Sequence, residues 1–169
     1  KGVDYIGTQV EEQIIIGQNF SPILNGLPGA FGLKGEYYNN SNLNGKPEVE
    51  REDERIDFDW GNKLPDKRLS GETYSISWTG FIVPDKKGKY ELILECNGGC
   101  RFRLNKKMIF NSWHDTNSEH KEIMNFDQDT YIPIELEFFT KGGTLNPGIH
   151  LKWRLISENK KNDFQKEKE

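Results

Sequence analysis

The chain has 169 residues, 34% hydrophobic, 12% aromatic and 30% charged, with a formal net charge of −4. That length suits one ordinary domain with flanking segments, large enough to bury a core without metals or disulfide staples. The acidic balance disfavours nucleic acid as a partner, and no apolar run is long enough to span a bilayer.

Residues 1–32 read as a flank of a longer parent protein. The chain starts at Lys1 without a signal-peptide pattern, as an excised piece would. A short apolar run, Ile14 to Ile16, leads into a connector that cannot hold a regular helix. There Pro22 and Pro28 remove backbone donors, and Gly26, Gly29 and Gly32 loosen the chain.

From Leu33 the pattern changes to period two. Leu33, Gly35 and Tyr37 alternate with Lys34, Glu36 and Tyr38. After the Asn-rich turn at 39–45, Ile56, Phe58 and Trp60 alternate with Arg55, Asp57 and Asp59. Tyr74, Ile76 and Trp78 follow, then Tyr90, Leu92, Leu94 and Cys96. Asn97-Gly98-Gly99 reads as a hairpin turn, followed by Phe102 and Leu104. Trp113, His114 and Asp115 are expected at a strand end. Ile132, Ile134, Leu136 and Phe138, and then Ile149, Leu151, Trp153 and Leu155, give the last two alternations.

Such alternation marks half-buried antiparallel strands. At least seven are expected, so residues 33–156 form an all-β domain, an antiparallel β-sandwich or partly closed β-barrel. Leu92, Leu94, Phe102, Ile134, Leu136, Phe138, Leu151 and Trp153 are predicted to point inward, with Trp60 and Trp78 also in the core. Residues 157–169 are almost all polar, either frayed or the start of a helix of the parent.

Five phrases occur in one order: GLKGEYYNNSNLNG (32–45), RIDFDWG (55–61), YSISWTGFIVPDKKGKYELIL (74–94), RFRLNKKMIFNSWHD (101–115) and GIHLKWRL (148–155). Together they resemble a PA-14 domain, the β-module first delimited in the protective antigen of a binary toxin. The GLKGEYY and IDFDWG pair, with KGVD at 1–4, looks most like copies inserted in glycoside hydrolase family three β-glucosidases.

The resemblance implies a non-catalytic, carbohydrate-associated accessory module. It would overhang the pocket of an attached β-glucosidase and help set which glycosides fit. Its partners would be the glycoside and the catalytic domains of the same parent, in a periplasmic or extracellular location. The alternatives are an autonomous sugar-binding or adhesion module of a secreted protein and a structural spacer.

Adhesin members of the family hold calcium through neighbouring aspartates at the turn where this chain has Asn97-Gly98-Gly99. The anionic charge of that turn is missing here, so no calcium and no other metal or cofactor is expected. Trp113, His114, Asp115 and Asn97 are the carbohydrate-contact candidates: an aromatic face beside a few aimed polar groups is what such a site needs. For Trp113 the competing reading is a ring that covers the barrel end.

Cys96 and Cys100 flank the same turn and are either a disulfide or two free thiols. As a pair they are too few for a thiolate metal site. Asp57 and Asp59 share an outward strand face with no pocket implied. His120 and His150 have no neighbour at metal spacing, and no catalytic arrangement is present. Asn39-Asn40-Ser41 has the pattern of a glycosylation sequon.

Overall fold

The alternating segments fold as antiparallel strands. The computed structural model describes residues 14–15 and 32–158. Among them lie β1 (Ile14–Ile15), β2 (Leu33–Tyr38), β3 (Val49–Asp53), β4 (Asp57–Asp59), β5 (Thr73–Ile82), β6 (Gly88–Leu104), β7 (Lys107–Phe126), β8 (Ile132–Lys141) and β9 (Gly148–Glu158). The hydrogen-bonded order is β1-β9-β6-β8-β5-β2-β3, with β4 also on β9 and β7 also on β6. The sheet curls into a half-barrel around one core.

Strand β6 makes the curl. Gly88–Asn97 pairs with β9, whereas Gly99–Leu104 pairs with β8. Strand β7 runs along the other edge of β6 for nearly its whole length. One strand therefore passes from one half of the sheet to the other. The handover falls at Gly98, whose φ is +137°, and at Gly99, where a side chain would run into the Phe139 ring.

Asn97-Gly98-Gly99 is thus not the expected hairpin turn. It is a corner inside a continuous strand, the other place where glycines allow a backbone to bend and approach closely. The hairpin itself comes later, at Asn105-Lys106, with φ of 48° and 67°. Two successive positive φ values are what a tight two-residue connection between twisted strands requires.

All eight residues predicted to face inward are buried, none more than 4% exposed. Trp60 and Trp78 are buried with them. The large aromatic side chains pack ring to ring, with Tyr90 and Trp153 centroids 4.9 Å apart and Trp60 and Phe138 5.2 Å apart.

Strand β3 carries no apolar alternation, yet it is a full partner of β2. It buries Val49 at one end and Asp53 at the other. Asp53 accepts hydrogen bonds from the Tyr37 hydroxyl (2.5 Å), the Trp78 indole (2.7 Å) and Arg51 Nε (2.8 Å). A buried carboxylate is tolerable only when satisfied in this way. Gly35 leaves the room: a Cβ there would lie 2.7 Å from Asp53 Oδ2.

Ile14 and Ile15, within the segment read as a flank, pair with Trp153 and Lys152 of β9. The Pro/Gly connector at 16–31, the rest of 1–13 and the polar tail from 159 lie outside the described residues.

Candidate functional site

The four carbohydrate-contact candidates meet at the β6 corner. Gly98 pairs with Thr116 and Cys100 with Ser112, so β7 takes three residues, Trp113 to Asp115, where β6 takes only Gly99. Trp113, His114 and Asp115 are therefore a mid-strand bulge, not the strand end expected from the sequence. Such an irregularity re-aims side chains next to a bend.

The bulge does not present Trp113 as an open platform. The Arg101 guanidinium carbon lies 3.9 Å from the Trp113 ring centroid, and the Phe139 ring lies 4.4 Å away, tilted by 48°. Arg101 is held in turn by Glu137 at 2.6 Å. Trp113 packs against Arg101 of β6 and Phe139 of β8. His114 is exposed.

Asp115 and Asn97 turn toward a segment that the sequence did not single out, 142–147 between β8 and β9. The Thr144 hydroxyl donates to Asp115 at 2.6 Å and lies 2.6 Å from the Thr140 hydroxyl. Asn97 Nδ2 donates to the carbonyls of Leu145 (2.6 Å) and Asn146 (2.9 Å). Two candidates are thus brought together as braces of one loop.

Beside that loop is a cavity of about 280 Å³. Its walls come from 61–64, from 142–147 and from Glu72, Tyr74 and Thr140. Leu64, Leu145 and Pro147 supply apolar surface, and Asn62, Glu72 and Thr144 supply polar groups. Leu145 is 83% exposed.

Tyr74 is buried, and its hydroxyl has no hydrogen-bond partner. Burial, and then the charge of Asp115, push its pKa well above the ordinary tyrosine value, so it stays a neutral hydroxyl.

The 61–72 segment is ordered by its own polar contacts. Asp66 takes Arg68 through two bonds, Nε to Oδ1 at 2.8 Å and a terminal nitrogen to Oδ2 at 2.9 Å, and also accepts the Arg68 backbone N–H at 3.0 Å. Arg51 reaches the Pro65 carbonyl at 3.1 Å, and Leu69 is buried. These contacts order the part of the segment that follows the cavity wall.

A larger cavity of about 560 Å³ lies along Lys34, Glu50, Arg51, Phe81 and Pro133. Lys34 there is paired with Glu36 (2.7 Å) and Glu50 (3.3 Å), and Arg51 with Asp53 (2.8 Å), and Glu52 also lines the cavity.

Other polar residues close on one another. His150 sits between Asp57 (Nδ1, 2.8 Å) and Asp59 (Nε2, 3.1 Å), a clasp between β4 and β9 that the spacing of these residues did not reveal. Among the described residues no group of three or more His, Cys, Asp or Glu is arranged to hold a metal. Cys96 and Cys100 are both buried and carry free thiols. The Cys96 thiol is pushed up by its hydrogen bond with the Cys100 sulfur and by burial.

The model of the family described as "PA14 domain" matches residues 29–167. This chain belongs to the PA14 domain family. The domain is 31% identical over 109 residues to "Anti-sigma-I factor RsgI3" of Acetivibrio thermocellus, covering 64% of this chain and 17% of that protein. It superposes on an "anti-sigma factor domain-containing protein from Clostridium clariflavum" with a TM-score of 0.68 and 30% identity, over 75% of this chain and 42% of that one.

It shares the fold of a β-glucosidase from Kluyveromyces marxianus solved with glucose (TM-score 0.61, 17% identity, 75% and 17% of the two chains). It also shares that of a "PA14 sugar-binding domain from RTX adhesin" (TM-score 0.51, 13% identity, 72% and 87%). The PA14 domain spans less than half of the length of either anti-sigma relative.

Proposed function

We propose that this PA14 domain is a non-catalytic carbohydrate-binding module of a longer protein, and that the glycan sits in the cavity between the 61–64 and 142–147 loops. The observation that carries the reading is the composition of that cavity. The Asn62 amide, the Thr140 and Thr144 hydroxyls and the charged Lys63 and Glu72 stand beside the apolar Leu64, Leu145 and Pro147, around a buried Tyr74 whose hydroxyl is unpartnered. A sugar offers the same mixture of hydroxyls and apolar faces. The sugar-binding PA14 domain of the RTX adhesin, which shares this fold, supports the class of ligand.

The parent has two candidate contexts. The sequence phrases suggest an attached family-three β-glucosidase, whose glycoside range the module would shape. The 30–31% likeness to anti-sigma factor proteins favours a regulatory parent, in which an extracellular or periplasmic module reports on carbohydrate. The β-glucosidase likeness, at 17% identity, supports the fold alone. We favour the regulatory parent. An adhesion module would share the pocket, and a spacer would leave it unused.

A glycan array probed with the purified domain tests the reading. The domain is expected to retain a defined group of glycans. Asn62→Ala, which removes an exposed amide of the cavity wall, should bind them about three- to tenfold more weakly, the worth of one hydrogen bond. Retention of no glycan would favour the spacer.

A further inference from the structure

We infer that Asn97 is the positioning residue of this pocket: its side-chain amide takes the place of a cation in gathering the Leu145 and Asn146 carbonyls, and makes the 142–147 loop independent of divalent metal. The inference rests on the carbohydrate reading only for what the loop serves. The clamp itself is tested without sugar.

Two successive backbone carbonyls face one point, 2.6 and 2.9 Å from Asn97 Nδ2. Converging carbonyl oxygens repel unless something positive stands between them. A metal ion can do this, and so can two N–H groups. An amide nitrogen carries two hydrogens, one for each carbonyl, so the arrangement is satisfied without a ligand from solution.

Burial does not hold the tip of this loop, because Leu145 is largely exposed, and so is Asn146. Asp115 and Thr140 hold Thr144 at the base of the loop, and the Asn97 amide reaches the carbonyls of Leu145 and Asn146 at its tip. Its base is rigid: Asn97 lies in β6 beside the Gly98 corner, paired with Gly148 on one side and Asn117 on the other.

The isosteric acid would reverse the chemistry. With Asn97→Asp, a carboxylate oxygen would face the Leu145 and Asn146 carbonyl oxygens at the same separation, and the neighbouring residue Thr144 contacts a second carboxylate, Asp115. That set of oxygens is what a hard divalent cation accepts, with water completing the shell. The substitution should therefore turn a metal-free clamp into a calcium-dependent one.

Thermal melting in EDTA and in millimolar calcium chloride, for three proteins, is the test. The wild-type domain is expected to melt within about a degree in both. Asn97→Ala should melt lower in both, with no response to calcium. Asn97→Asp should melt lower in EDTA and recover by several degrees in calcium, as binding to the folded state requires.

A calcium-induced rise for the wild type would overturn the inference. So would an Asn97→Ala protein as stable as the wild type, or an Asn97→Asp protein indifferent to calcium. Glycan binding separates this from the functional reading. Melts as expected with no glycan bound would leave the clamp standing and remove the carbohydrate assignment. Glycan binding by the wild type that is lost in EDTA would keep the assignment and overturn the clamp.

Discussion

The Trp78 indole N–H donates to Asp53 Oδ2 at 2.7 Å in the interior of the half-barrel. The Tyr37 hydroxyl and Arg51 Nε close on the same carboxylate, so one buried acid ties β2, β3 and β5 together. Burial, with the charge of Asp53 beside it, holds the Tyr37 hydroxyl protonated. Asp53→Ala strands three donors at once. It should cost about 3–5 kcal/mol, the usual price of removing one partner from a buried charged network. Urea unfolding of wild type and variant measures this, and a loss below about 1 kcal/mol would contradict it.

Gly99 and Phe139 define the sheet corner. Any side chain at Gly99 meets the Phe139 ring, so Gly99→Ala forces that ring or the strand to move. Overpacking of this kind costs about 1–3 kcal/mol. Replacing Phe139 by Leu in the same protein should recover part of the loss. A double-mutant cycle reads the coupling directly, and additive losses would show that the two residues do not meet.

Asp66 supplies the expected pH dependence of the 61–72 loop. Its bonds from the Arg68 side chain and backbone hold its pKa far below the ordinary carboxylate range. A carboxylate depressed in the folded state contributes stability above its unfolded pKa and loses it as pH falls toward the folded value. Wild type should therefore lose melting temperature below about pH 4 more steeply than Asp66→Asn. Parallel curves for the two proteins between pH 7 and pH 3 would remove Asp66 as the cause.

The thiols offer a check on the core. Cys96 and Cys100 are buried in the folded domain, so a thiol reagent should label neither until the protein is unfolded. Mass spectrometry after labelling in native and denaturing buffer decides it. Under oxidising conditions the same measurement shows whether the pair closes into a disulfide, through a mass lower by two hydrogens and loss of labelling after unfolding.

Much of the core was legible because burial alternates along the strands. Leu92, Leu94, Leu136, Phe138 and Trp153 carry the period openly. Strand β3, VERED, did not, because its contribution is hydrogen bonds and one buried acid rather than apolar contrast. Gly98-Gly99 was ambiguous in kind: a hairpin and a sheet corner make the same demand on the backbone, and only pairing with both β9 and β8 separates them.

The site was half visible. Asn97 and Asp115 could be named, but their contacts with 142–147 are far apart in sequence and leave no local signal. Trp113 stood out by residue type, and Arg101 and Phe139, which cover it, did not.

The most direct test of the carbohydrate pocket is where a bound glycan perturbs the domain. In a two-dimensional NMR titration with a glycan retained on the array, shifts are expected at 61–64, at Glu72 to Tyr74 and at 142–147, and not along β2 and β3. Perturbations centred on Lys34, Arg51 and Phe81, or spread with no focus, would contradict the account.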